Sequence, residues 1–126
     1  ARPFVSAETV RRCIDIAEGG VGAVAGCPAV DTMKRVGADD TVVDTPPRET
    51  LWHAHTPQVF PAELLRSAYA SGDVTATDDA ALVERHGGEV RMVDAGRWNL
   101  KITHPSDIPL AQALLDSGLV GGEAGS

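Results

Sequence analysis

Apolar residues fall into two rhythms along the chain. Ser6 is placed to cap a helix over about residues 7–18, in which Val10, Cys13, Ile14 and Ala17 recur at helical spacing. Gly19-Gly20 stops it. Val21 to Cys27 then runs without a charge, in small and β-branched residues, as a strand covered on both faces does. Leu51 to Gln58 reads as extended. Pro61 suits the first turn of a helix over about 61–71 that gathers Leu64, Leu65, Ala68 and Tyr69. Thr77 is read as the cap of a further helix ended by Gly87-Gly88, with Asp78 and Asp79 in its first turn. Glu89–Asp94 and Trp98–Thr103 read as strands, the second with Trp98, Leu100 and Ile102 on one face and Asn99, Lys101 and Thr103 on the other. Ser106 or Asp107 caps a last helix to about Leu119, with Pro109 tolerated early in it. Residues 119–126 are expected to be a disordered tail.

Residues 29 to about 50 break the rhythm. Asp31–Val36 and Thr41–Thr45 flank Gly37-Ala38-Asp39-Asp40, which predicts a hairpin with a polar turn, and Pro46-Pro47 ends the pairing. Its few large apolar groups cannot make a core, so it reads as an arm that projects from the body and needs a partner to cover it. Elsewhere strands alternate with helices, which predicts an α/β layered domain with a mostly parallel sheet over residues 1–118. In such sheets ligands lie beyond the carboxyl ends of strands, here near 21–28 and 98–103.

Composition narrows the function classes. The chain has 126 residues, 43% of them hydrophobic but only 4% aromatic, so the core must be built from aliphatic side chains. A net charge of −7 gives no long-range attraction for nucleic acid or anionic lipid, and no nucleic-acid or membrane partner is expected. No apolar run reaches the roughly 18 residues of a membrane span. Two cysteines, Cys13 and Cys27, suit buried free thiols in a reducing cytosol better than a disulfide framework. The chain opens on Ala1-Arg2-Pro3, without a methionine, and reads like the middle of something longer.

Candidate chemistry concentrates on Asn99-Lys101-Thr103. A lysine in an apolar strand either faces solvent or meets an anion. The face is thus an exposed edge or a phosphate site in which Lys101 supplies a point charge and Thr103 a hydroxyl near a helix start. Thr77-Asp78-Asp79 reads as a helix cap, with a metal or base site as the alternative. His53 and His55 share one strand face but lack a third and fourth zinc ligand. His86 and His104 are isolated. Gly20 to Gly26 has the wrong spacing for a dinucleotide loop, and no Walker-type loop occurs.

The strings Ala1-Arg2-Pro3-Phe4, Asp31-Thr-Met-Lys-Arg35, Leu51-Trp-His-Ala-His-Thr-Pro-Gln58, Phe60-Pro61, Thr77-Asp78-Asp79-Ala80 and Asn99-Leu-Lys-Ile-Thr103 occur in an order and spacing similar to the 2-C-methyl-D-erythritol 4-phosphate cytidylyltransferase family. The chain resembles that family's C-terminal half. The resemblance implies a Rossmann-like nucleotidyltransferase fold with a projecting β-arm that joins a homodimer, the N-terminal half being absent here. It implies transfer of a cytidylyl group from CTP to 2-C-methyl-D-erythritol 4-phosphate, with magnesium, in the cytoplasm. By the same resemblance Lys101 lies beside the reacting phosphates, with Thr103 supporting it. Arg48 reaches the substrate phosphate of the neighbouring subunit. Asp31, Thr32 and Thr56 line the polyol phosphate pocket. Arg2 follows the magnesium-site aspartate, which is expected two residues before Ala1, so no metal ligand is expected in this chain. The Gly-rich loop of the family belongs to the missing half, so this piece alone is expected to be inactive and poorly stable. Ribitol 5-phosphate cytidylyltransferase, and a non-catalytic dimerising fragment, are the alternatives.

Overall fold

The structure is a computed structural model and describes residues 1–120; the rest of the predicted tail, 121–126, lies outside the described residues. Helix α1 (Ala7–Glu18) begins where Ser6 Oγ accepts the Thr9 N–H at 3.0 Å, as the sequence predicts. Its buried stripe is rotated from the predicted one. Thr9 and Cys13 are buried and Ile16 packs on the core, whereas Ile14 is largely exposed. The Thr9 hydroxyl tolerates burial because it accepts the Ser6 hydroxyl at 2.8 Å.

Strand β1 (Gly22–Pro28) is central in a three-stranded sheet of order β4-β1-β5. β5 (Val90–Asp94) runs parallel to it and β4 (Trp52–Val59) antiparallel. The α/β class therefore holds, and among the described residues the sheet is mixed: one pairing meets the parallel expectation, the other does not. Both faces of β1 are covered. Ala23 and Ala25 pack with Cys13, Ile16 and Val93. A second cluster joins α2 (Ala62–Ala70) and α3 (Asp79–Arg85) through Ala68, Leu82 and Val83, with Phe60, Leu64 and Val90 against it. Small residues in β1 let helix and sheet approach closely, which the scarcity of aromatics requires.

The β1–β4 ladder is irregular in one place. Val24 pairs with Gln58 and Gly26 with Ala54, so β1 passes through Ala25 alone where β4 passes through His55, Thr56 and Pro57. Pro57 has no N–H to give the ladder. The surplus residues bulge, and the bulge redirects His55 and Thr56 at the carboxyl end of β1.

The arm is a separate two-stranded sheet, β2 (Arg35–Val36) and β3 (Val42–Asp44), joined by an Arg35–Asp44 ion pair at 2.8 Å. Asp39 Oδ1 accepts the Thr41 N–H and Asp40 takes positive φ, which closes the polar turn. Val43 is 67% exposed, and Met33, Val36 and Val42 are exposed as well.

Two predicted elements are corrected. The cap of α3 is Asp78, whose carboxylate accepts the Ala81 N–H at 2.7 Å, not Thr77. Trp98–Thr103 is not a strand. Its ladder is a single exchange, Ile102 N–H to Ala1 O at 2.7 Å and the Ala1 ammonium to Ile102 O at 3.2 Å. Helix α4 (Asp107–Ser117) follows, without a side-chain cap from Ser106. None of the described helices is long and apolar enough to cross a membrane.

The loop from α2 to α3 is clasped by Asp73, which accepts the Thr75 N–H and hydroxyl at 2.9 and 2.7 Å and faces Arg85 at 3.3 Å. The Thr75 donors, and then Arg85, hold its carboxyl down at about 2 against an ordinary 3.8. A depressed folded-state value means that the stabilisation is complete above the unfolded value and disappears as pH falls through the folded one. Asp73→Asn is therefore expected to lower the melting temperature at pH 6, and its difference from wild type to close between pH 3.8 and about 2. A pH-independent difference would contradict the clasp.

Candidate functional site

The carboxyl end of β1 opens on a knot of polar groups drawn from three parts of the chain. Asn99 is its centre and is 4% exposed. Its side-chain Nδ2 donates to the Thr56 carbonyl at 3.0 Å and faces His55 Nδ1 at 3.4 Å. Its backbone carbonyl accepts the Arg2 guanidinium at 2.7 Å. His55 Nε2 in turn lies 3.8 Å from Cys27 Sγ. Burial, with Arg2 and His53 nearby, moves the His55 pKa below its ordinary 6.5, so the ring is neutral at pH 7. Partial burial also lowers the pKa of Arg2.

Lys101 and Thr103 continue from this knot, and the Ala1–Ile102 exchange ties their segment to the one bearing Arg2. Lys101 is exposed and makes no hydrogen bond or ion pair with another described residue. Thr103 is committed differently from the sequence expectation. Asp107 Oδ2 accepts the Thr103 and His104 N–H groups at 2.9 Å each and lies 3.4 Å from the Thr103 hydroxyl. Those backbone donors hold the Asp107 carboxyl below its ordinary value, so an anion already occupies the start of α4.

The remaining predicted residues sit at the base of the arm. Ala29 N–H donates to Leu51 O at 2.9 Å, and Arg48, in a short 3-10 turn (Arg48–Thr50), donates through Nη1 to Val30 O at 2.8 Å. Asp31 and Thr32 follow directly and are exposed. Arg2, Thr56 and the Lys101 segment are thus brought together, and Arg48, Asp31 and Thr32 form a second group. No hydrogen bond or ion pair among the described residues joins Arg48 to Lys101.

Gln58 was not singled out by sequence, yet it braces the bulge. Its Nε2 donates to His55 O and Asp78 Oδ2 at 3.1 and 3.0 Å, and its Oε1 accepts the Ala80 N–H at 3.2 Å. A glutamine directly after a proline, in the half-buried end of the strand, is the signal that could have marked it.

Residues 1–117 match the sequence profile of the 2-C-methyl-D-erythritol 4-phosphate cytidylyltransferase family. A protein of that name from Parasynechococcus marenigrum is 44% identical over 107 residues, covering 82% of this chain and 47% of the relative. One from Geotalea uraniireducens is 43% identical over 119 residues, covering 92% and 51%. Among solved structures, the Thermus thermophilus 2-C-methyl-D-erythritol 4-phosphate cytidylyltransferase is similar at a TM-score of 0.77 and 38% identity, over 92% of this chain and 58% of that one. The Anaerococcus prevotii 4-diphosphocytidyl-2C-methyl-D-erythritol synthase aligns at a TM-score of 0.82 and 30% identity, over 91% and 55%. The chain spans about half the length of the relatives it matches.

Proposed function

We propose, from the premise that this chain belongs to the 2-C-methyl-D-erythritol 4-phosphate cytidylyltransferase family, that it supplies the acceptor-side half of a site transferring a cytidylyl group from CTP to 2-C-methyl-D-erythritol 4-phosphate in isoprenoid precursor synthesis. The reading is carried by one observation: Asn99 and the Ala1–Ile102 exchange gather Arg2, Thr56 and the Lys101 segment at the carboxyl end of β1. Two cations and a hydroxyl beside a neutral imidazole suit an anionic ligand.

An oxygen of the acceptor phosphate attacks the α-phosphorus of CTP. A P–O bond forms there, and the bond to the β-phosphate oxygen breaks, pyrophosphate leaving with the electron pair. The nucleophile is already ionised, so no general base is needed. The barrier lies in bringing two anions together and stabilising charge on the transferred phosphorus. Lys101 provides a mobile point charge at that phosphorus. Thr103 steadies the turn that carries it, and Thr56 and Arg2 face the acceptor. Arg48 spends one Nη1 donor on Val30 O, which leaves its Nε–Nη2 edge for two parallel bonds to a phosphate.

Arg48, Asp31 and Thr32 serve the neighbouring subunit through the arm, giving a homodimer. The exposed valines of β2 and β3 support this, because a two-stranded sheet with no covered face is marginal alone. The resemblance also implies magnesium. No three His, Cys, Asp or Glu side chains converge among the described residues. These residues do not fit a protein-built magnesium site. The ion would be held mainly through the CTP phosphates, where it would neutralise part of their charge. The cytoplasm, where CTP is made, is the proposed compartment.

The test is pyrophosphate release by the full polypeptide carrying residues 1–126, given CTP with either polyol phosphate. Release dependent on 2-C-methyl-D-erythritol 4-phosphate is expected. Preference for ribitol 5-phosphate, or no release, overturns the reading.

A further inference from the structure

The knot at the end of β1 is centred on Asn99, which gathers the site but is given no contact with either substrate. Asn99 is buried and ties three segments together, yet its Oδ1 has no hydrogen-bond partner among the described residues. Leaving a buried acceptor unpaired is costly, so the orientation of this amide is not set by its own satisfaction. Rotating it would not help. Exchanging Oδ1 with Nδ2 would set an oxygen 3.0 Å from the Thr56 carbonyl oxygen, which repels it. The amide therefore keeps Nδ2 toward Thr56 and toward His55 Nδ1. A donor facing Nδ1 requires a lone pair there, which puts the imidazole proton on Nε2, facing Cys27 Sγ.

We propose that Asn99 is a positioning residue: its amide holds the Thr56 carbonyl and fixes His55 as the neutral Nε2–H tautomer, while its backbone carbonyl holds Arg2, so that the segments bearing Arg2, Thr56 and Lys101 keep one relative arrangement. This deepens the functional reading above and rests on it. The groups facing His55 all favour the neutral ring. Arg2 and His53 each disfavour a second positive charge, burial does the same, and Cys27 takes the Nε2–H. An imidazolium would also turn an Nδ1–H against the Asn99 amide hydrogens. A neutral ring adds no charge beside Arg2 and lets that guanidinium, rather than a shifting pair of cations, set the local field. Displacing a phosphate by about 1 Å can cost on the order of a hundredfold in rate, which is the scale of effect expected when the tie is cut.

The experiment has a spectroscopic and a kinetic arm, both on the full polypeptide. In wild type, nitrogen-15 NMR of the imidazole should show the Nε2–H tautomer of His55 at pH 7, titrating below 6.5. Asn99→Asp places a carboxylate at Nδ1, stabilises the imidazolium and should move that titration above the wild-type midpoint. An Nδ1–H tautomer in wild type, or an unmoved titration in Asn99→Asp, overturns the proposal. In the kinetic arm, Asn99→Ala should lower kcat/KM for the polyol phosphate on the order of a hundredfold per folded molecule, with a smaller change in the KM for CTP. A variant that loses melting temperature but keeps kcat/KM per folded molecule shows a merely structural residue and overturns the positioning role. The wild-type assay is read first. No pyrophosphate there overturns the functional reading, whereas an active wild type with an unimpaired Asn99→Ala overturns this inference alone.

Discussion

Replacing Lys101 by alanine is expected to lower cytidylyl transfer by the full polypeptide on the order of a hundred- to a thousandfold in kcat, the scale of deleting one donor that stabilises transition-state charge. Two observations separate this from a stability effect. Lys101 is exposed, and it has no hydrogen-bond or ion-pair partner among the described residues, so truncation removes no described tie. Unfolding should be unchanged to within about 0.5 kcal/mol. The loss should fall mainly on kcat, because the lysine meets charge that is greatest in the transition state. Lys101→Arg keeps the charge but spreads it over a planar fork, and is expected to recover only part of the rate. A Lys101→Ala enzyme within threefold of wild-type turnover would remove this side chain from the reaction.

The second large effect is on the sheet. Gly26→Ala is expected to destabilise the fold by about 3 kcal/mol, the upper range for overpacking a well-filled interior. A Cβ at Gly26 would overlap the backbone oxygen of His53 and lie 2.7 Å from Met92 Cε. The methionine end can move. The His53 carbonyl cannot, because β4 is pinned there by its pairing with Cys27 and by the Gln58 brace. Gly26 also follows the irregular step in the ladder, so relief by shifting β4 would disturb His55 and Thr56. Gly20→Ala is the control. Its Cβ would meet nothing, but φ is +97°, and the cost should be conformational, about 1 kcal/mol. Denaturant midpoints that rank the two variants equally would contradict the close approach.

Much of this was legible in the chain because it is local. Ser6 and Gly19 bracket α1 by capping alone, and the polar turn at Gly37–Asp40 declares a hairpin whatever surrounds it. What failed to read depends on partners distant in sequence. The alternation of Trp98 to Thr103 predicts a strand with the tryptophan inside, yet the structure buries Asn99 and leaves Trp98 40% exposed. Alternation names two faces without saying which residue is covered, and here Thr56, His55 and Arg2 cover Asn99 while Lys101 and Thr103 on the same face stay exposed. The stripe of α1 is a local exception, since Thr9 is buried with its hydroxyl accepting from Ser6 only three residues away, a pairing that residue type alone does not declare. Thr77 and Asp78 are equally good caps by type, and the Gln58 contact to Asp78 favours the second. Of the site, the cations were visible as residues matching a family pattern. The two groups into which they fall, and the amide that binds one of them, came only from the packing.

Everything proposed for catalysis depends on an arm arginine of one subunit meeting the lysine of another. The direct measurement is complementation. Arg48→Ala and Lys101→Ala proteins, each nearly inactive, are dissociated, mixed in equal amounts and allowed to reassociate. Random pairing makes half of the dimers mixed, and each mixed two-fold dimer carries one site with both cations intact, so activity should return to about a quarter of wild type. A mixture as inactive as its parents, although mass measurement shows mixed dimers, would contradict a site shared between subunits.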